Sequence, residues 1–100
     1  MYRGTTPTIT FTLPLLSSAI TALNLSFVQN GELVLEKGLA DCLLADNTLQ
    51  VTLTEQETLL FGAEKGMVEM QLRIGCGAAR MASNIMQISV ERILKDGCLE

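Results

Sequence analysis

One hundred residues, 48% of them apolar and 18% charged with a mean hydropathy of +0.34, suffice for a single hydrophobic core but not for a catalytic domain plus a separate binding domain, and they are too apolar to remain unfolded. The net charge of −4 and the scatter of seven Lys and Arg from Arg3 to Lys95 leave no basic stripe of the kind that nucleic acid requires. Histidine is absent, which removes imidazole metal ligands and every nucleophile that relies on a His base.

The chain carries no charge between Arg3 and Glu32, a pattern that invites comparison with a signal peptide or membrane span. Thr5, Thr6, Thr8, Thr10 and Thr12 interleave with Ile9, Phe11 and Leu13, and Pro14 interrupts the run. Both alternatives need a continuously apolar segment. The expectation is therefore a chain without either, whose mature form begins at or near Met1.

Strict alternation over Thr8–Leu13 predicts a first strand with Ile9, Phe11 and Leu13 inward. Leu15–Ala22 is a connection with room for a helical turn starting near Ser17 or Ser18. Strands over Leu23–Val28 and Glu32–Lys37 flank Asn30-Gly31, a strong hairpin signal. A two-residue loop there would set Leu33 and Leu35 on the face opposite Leu25 and Phe27. A three-residue loop, Gln29 to Gly31 with Gly31 in a bulge, aligns the apolar set, and is the expected register. It points Asn24, Ser26, Val28, Glu32, Val34 and Glu36 outward. The next hairpin, Ala40–Ala45 and Thr48–Leu53 around Asp46-Asn47, aligns Leu44 with Leu49 and Cys42 with Val51 through a two-residue loop.

Thr54-x-x-Glu57 has the spacing of a capping box, so a one-turn helix is expected over residues 54–60. Leu59, Leu60 and Phe61 then plug one end of the core, and Gly62–Gly66 turns the chain. Met67–Ile74 alternates cleanly with Val68, Met70, Leu72 and Ile74 inward, as a central strand should. After a turn over Gly75–Arg80, a seventh strand is expected from Ala82 to Arg92, with Met86, Ile88 and Val90 inward, and Leu94–Glu100 forms a polar tail. Seven short strands at this spacing point to an all-β fold, a seven-stranded antiparallel β-sandwich in one domain spanning residues 1–100, of the immunoglobulin-like type that the resemblance given below implies.

No constellation of residues assembles chemistry. Gly75-x-Gly77-x-x-Arg80 lacks the third glycine of a dinucleotide loop and precedes a strand. Glu55 and Glu57, two apart on a helical turn, diverge, and Glu57 has a capping role. Cys42, Cys76 and Cys98 show no Cys-x-x-Cys spacing and no fourth ligand type, which favours free thiols in a reducing compartment. Cys42 is expected in the core, with Cys76 and Cys98 exposed. No catalytic, cofactor-binding or metal site is expected, and no enzyme. The outer faces, by contrast, are polar but nearly uncharged: Thr8, Thr10, Thr12, Asn24, Ser26, Gln50, Thr52, Gln71, Gln87 and Ser89. Sandwiches that live alone usually guard their edges with Lys, Glu or Pro against strand addition, so this composition suits a protein that lives in an assembly.

The segments YRGTTPTITFTLPL, VTLTEQETLLF, MVEMQLRI and ASNIMQISVERILKDG together resemble a family of short proteins encoded in phages and prophages of Gram-positive gut bacteria. More loosely, the chain is similar to the immunoglobulin-like N-terminal domain of phage baseplate upper proteins, without the core Trp, paired cysteines or corner Tyr of true immunoglobulin domains. The resemblance, carried by positions such as Thr54, Glu57, Phe61, Gln71 and Arg73, implies a non-enzymatic role in the virion or its assembly. It further implies partners among other virion proteins or copies of the same chain, rather than nucleic acid, membrane or a small-molecule substrate. The expected location is the bacterial cytoplasm during assembly and then the particle. A carbohydrate-binding or host-surface adhesion module is the alternative.

Overall fold

A computed structural model describes residues 1–99 and folds them into two antiparallel sheets packed face to face. The first sheet has the order β1-β5-β4, built from β1 (Thr8–Thr12), β5 (Thr48–Thr52) and β4 (Cys42–Ala45). The second has the order β3-β2-β6-β7, from β3 (Glu32–Gly38), β2 (Ala22–Gln29), β6 (Val68–Cys76) and β7 (Ala79–Ala82), with β8 (Met86–Ile88) also on β6. The all-β sandwich expected from the alternation is what forms. Its likeness to immunoglobulin domains is one of architecture. There the second strand pairs into the sheet of strands one, five and four, whereas here β2 joins β3 and β6.

The core lies between β5 on one side and β2 and β6 on the other. Leu49, Val51 and Leu53 meet Leu25, Phe27, Val68, Met70, Leu72 and Ile74, all nearly inaccessible to water. β6 is central, and its alternation is carried through as read. The Asp46-Asn47 hairpin also has the expected register, with Leu44 opposite Leu49 and Cys42 opposite Val51. A single 3-10 turn at Ser17–Ala19 fills the first connection.

The Asn30-Gly31 hairpin differs from the expected one in an instructive way. Asn30 and Gly31 both have positive φ, +54° and +77°, and Gln29 pairs with Glu32, so the loop has two residues. Two pairs later the register shifts: Val28 faces Leu33 but Phe27 faces Leu35, leaving Val34 as the extra residue of a bulge. The turn thus keeps its preferred Asn-Gly geometry, and the bulge restores Leu35 to the core side. Leu33 is left outside at 56% exposure, while Val34, expected outward, packs half-buried against the core.

The strand expected over Ala82–Arg92 is broken: its first residue ends β7, and the rest is strand only over β8, which stops at Ile88. β7 pairs Arg73 with Ala82, β8 pairs Met70 with Met86, and the three residues Ser83, Asn84 and Ile85 span the gap opposite Gln71 and Leu72. That one-residue excess flips the inward parity, so Met81 shares a side with Met86 and Ile88. Ser83 repairs the ladder at the break: its N–H donates to Leu72 O at 2.8 Å, and its hydroxyl accepts from Leu72 N at 3.0 Å. The hairpin before it is tighter than expected. β6 continues to Cys76, and the turn is Gly77-Ala78, with Gly77 at φ +61°. The start of the fourth strand also moves, because Leu39–Asp41 forms a 3-10 turn ahead of β4.

The corner between the sheets is α1 (Glu55–Thr58), shorter than the residue 54–60 span. Its capping box forms: Glu57 N donates to Thr54 Oγ1 at 3.1 Å, and Thr54 N donates to Glu57 Oε1 at 2.9 Å. Phe61 is fully buried, its ring 5.9 Å from that of Phe27, whereas Leu60 is 56% exposed and plugs nothing. Three polar side chains hold this end. Arg3 donates to Phe61 O at 2.7 Å and Leu59 O at 3.1 Å, satisfying carbonyls beyond the helix, and pairs with Asp96. Buried Thr58 accepts from Thr5 N at 3.1 Å. Gln29, 3% exposed, donates to Gly62 O and Gly66 O and accepts from Gly62 N, at 2.7 to 2.9 Å, and so clamps the Gly62–Gly66 turn.

Thr54→Ala removes one half of the capping box and is expected to lower unfolding free energy by about 1 kcal/mol in urea titration, with the slope of the transition unchanged. Glu57 also contacts Lys37 of β3 at 2.5 Å. Burial pushes its carboxyl up, but hydrogen bonds from Lys37 and Thr54, with the Lys37 charge, outweigh that and hold it below the ordinary carboxylate range. A depressed folded-state value stabilises fully above the unfolded value of about 4.3 and ceases to do so as pH falls through the folded value. Wild-type stability should therefore drop between neutral and acid pH by more than that of Glu57→Gln. Parallel pH profiles of the two proteins would contradict the assignment.

Candidate interaction surface

The outer face of the three-stranded sheet follows directly from its register. Thr8 lies opposite Thr52, Thr10 opposite Gln50, and Thr12 opposite Thr48, while Leu43 and Ala45 continue the last two rows on β4. Every side chain on this face is uncharged, and Leu43 is 74% exposed. The Thr8 and Thr52 hydroxyls lie 2.9 Å apart, a cross-strand pair that orders the face.

The other sheet is different. Its outer face carries Glu36, Glu69 and Arg73 among the polar residues. Asn24 donates to Glu36 Oε1 at 3.1 Å and Ser26 to Asn24 Oδ1 at 2.5 Å. The neutral composition read from both faces is thus confined to one sheet, a distinction that depends on which strands pair and is invisible in the sequence.

β1 forms the edge of that neutral sheet and pairs on one side, with β5. Leu13 N donates to Asn47 O and Leu53 N to Pro7 O, so the odd-numbered residues exchange bonds with β5. The N–H and C=O groups of Thr8, Thr10 and Thr12 consequently point away from the sheet. Ile9 and Phe11 face inward but remain half-buried. Beside them an apolar cleft of about 320 Å³ opens between the layers, lined by Phe11, Leu13 and Pro14 on one wall and Leu72, Ile74 and Met81 on the other. An open strand edge bordering an apolar cleft is the arrangement used in strand addition, where main-chain bonds supply affinity and the cleft receives alternate side chains.

The residues weighed for chemistry are placed in structural roles. Glu55 Oε2 accepts from Leu99 N at 2.9 Å, and Glu57 caps and pairs with Lys37. Arg80 folds back on the hairpin, donating to Gly77 O at 2.6 Å and Ala79 O at 2.9 Å. Among the described residues no cluster of three or more His, Cys, Asp or Glu side chains is placed to hold a metal ion, and no helix is long and apolar enough to cross a membrane. Comparison of the chain with protein-family models, curated proteins and solved structures gives no match.

All three cysteines are free thiols. Cys42 is partly buried, its Sγ 3.4 Å from Gly38 O, and burial followed by the Asp41 charge pushes the thiol up against a smaller opposing effect of Lys37. Cys76, expected to be exposed in a turn, is the last residue of β6 and packs half-buried against the core, whereas Cys98 is exposed. Thiol labelling at neutral pH followed by peptide mapping should find Cys98 modified first and Cys42 last, since the thiolate is the reacting species. Early labelling of Cys42 in the native protein would be inconsistent with this packing.

Proposed function

We propose that this domain is a non-catalytic structural or assembly component of a phage or prophage particle, associated with the tail, the baseplate or another part, and that it works through protein–protein contacts. The observation that carries the reading is the neutral outer sheet with its open β1 edge on a chain of net charge −4. An acidic protein that keeps one sheet free of charge has a surface that other acidic proteins can approach without repulsion. The resemblance to short phage and prophage proteins, which runs along nearly the whole chain, points the same way. On this reading the protein is made in the bacterial cytoplasm and ends in the particle.

Glycan adhesion fits the surface less well. Sugar platforms are built on exposed aromatic rings. Phe27 and Phe61 are fully buried and Phe11 is half-buried, leaving Tyr2 as the exposed aromatic.

The test is co-purification of the tagged chain with the products of its flanking genes, alongside light scattering of the chain alone. A stable complex with a particle protein, or self-association, supports the reading. A strictly monomeric chain that retains none of these products overturns it.

A further inference from the structure

We propose that β1 is a self-pairing edge, joining two copies of this chain antiparallel about a two-fold axis at Thr10 into one continuous sheet of order β4-β5-β1-β1-β5-β4. This rests on the protein-contact reading above and names the partner as a second copy.

Among the described strands, β1 is the edge without a guard. β3 carries Glu32, Glu36 and Lys37 and is distorted by the bulge at Val34. β4 is four residues long between Asp41 and Asp46. β7 contains Arg80 and breaks at Ser83, and β8 has three residues. Bulges, charge and shortness are the devices that block strand addition. β1 has five residues, no charge and no internal proline, since Pro7 and Pro14 lie outside it.

The sequence of β1, Thr-Ile-Thr-Phe-Thr, argues for a second copy over an unrelated strand. It is nearly a palindrome about Thr10. Antiparallel pairing centred there sets Thr10 against Thr10, Thr8 against Thr12, and Ile9 against Phe11. The open main-chain groups are those of Thr8, Thr10 and Thr12, so each Thr pair falls at a hydrogen-bonded position and exchanges two N–H···O=C bonds. The faces match as well. Threonines meet threonines on the outer face, a favourable cross-strand pairing. Ile9 and Phe11, half-exposed in one copy, cover each other on the inner face beside the apolar cleft. A two-fold contact requires a patch complementary to itself, and β1 meets that condition in backbone, polarity and side-chain size. Charge agrees, because two copies of net charge −4 repel, and the neutral sheet brings them together with no carboxylate at the seam.

Sedimentation equilibrium of the full chain across a wide concentration range is the experiment, with amide exchange by NMR read at Thr8, Thr10 and Thr12. The expected result is a concentration-dependent dimer in which these amides gain protection as the dimer fills. Thr10→Pro removes the donor at the axis, and by symmetry removes it twice, so it should weaken the dimer about tenfold or more while leaving the bonds to β5 intact. Thr10→Lys places like charges opposite each other and should act in the same direction. Leu43→Lys, on the far strand of the same face, should leave the dimer unchanged. A dimer lost with Leu43→Lys but kept in both Thr10 variants overturns the proposal in favour of face-to-face stacking. A monomer at every concentration overturns it too. If that monomer still binds a particle protein, the broader reading survives; if it binds none, both fail.

Discussion

The burial of three strands against one another holds this domain together: β5 from one sheet, β2 and β6 from the other. Their inward residues make up most of the fully buried core, at roughly 25 cal/mol for each Å² of apolar surface removed from water. The flanking strands depend on this centre. Ile9 and Phe11 on β1, Cys42 and Leu44 on β4, Leu35 on β3, and Met86 and Ile88 on β8 are partly buried residues packed against it. A gradient from closed centre to half-open margin follows, and the proposed interaction surface lies on that margin. β1 can offer an edge because it pairs on one side only, with the main-chain groups of Thr8, Thr10 and Thr12 left out of the β5 ladder.

One end of the sandwich is closed at α1. There the Phe61 ring packs at a tilt of 54° against Phe27 beneath a helical turn, and Arg3, Thr58 and Gln29 tie the surrounding loops to it through main-chain carbonyls and amides. Each of these is a side chain reaching a backbone group more than thirty residues away. Such bonds satisfy loop groups that no ladder reaches. The described residues accordingly leave no buried side-chain nitrogen or oxygen without a partner. Met1 is tied to the segment after β8: its amino group donates to Ser89 O and Glu91, and Glu91 N donates to Met1 O.

What the sequence made legible divides along physical lines. Where turn chemistry and the apolar alternation asked for the same register, as at Asp46-Asn47 and along β6, the pairing could be read residue by residue. Where they conflicted, at Asn30-Gly31, the reading gave way to one signal, whereas the chain honours both by inserting Val34 as a bulge. Ser83 is the same case: an alternation that looks continuous from Ala82 to Arg92 conceals a one-residue slip, because a bulge has no composition of its own. Gln29 and Thr58 were illegible for another reason. Their partners are distant carbonyls and amides, so nothing in their neighbourhood marks them as buried. The interaction surface was half legible. The neutral polar residues were visible, but their sorting onto one sheet depends on strand order, which alternation does not encode.

The size of the β1 edge bears on how such a contact would operate. Five residues of strand pairing bury far less than the roughly 1,600 Å² typical of stable interfaces, and association must offset the loss of translational and rotational freedom. A seam of this kind is weak between free copies. It becomes effective where many copies are held close together, since tethering raises the local concentration without any new contact. Under the role proposed above, that regime is an assembling particle, where many copies of one chain are held side by side. A longer and more apolar exposed edge is a greater aggregation hazard. With threonines outside, two aromatic or branched residues inside and a proline beyond each end, β1 stays within the range where register can be specific and pairing reversible.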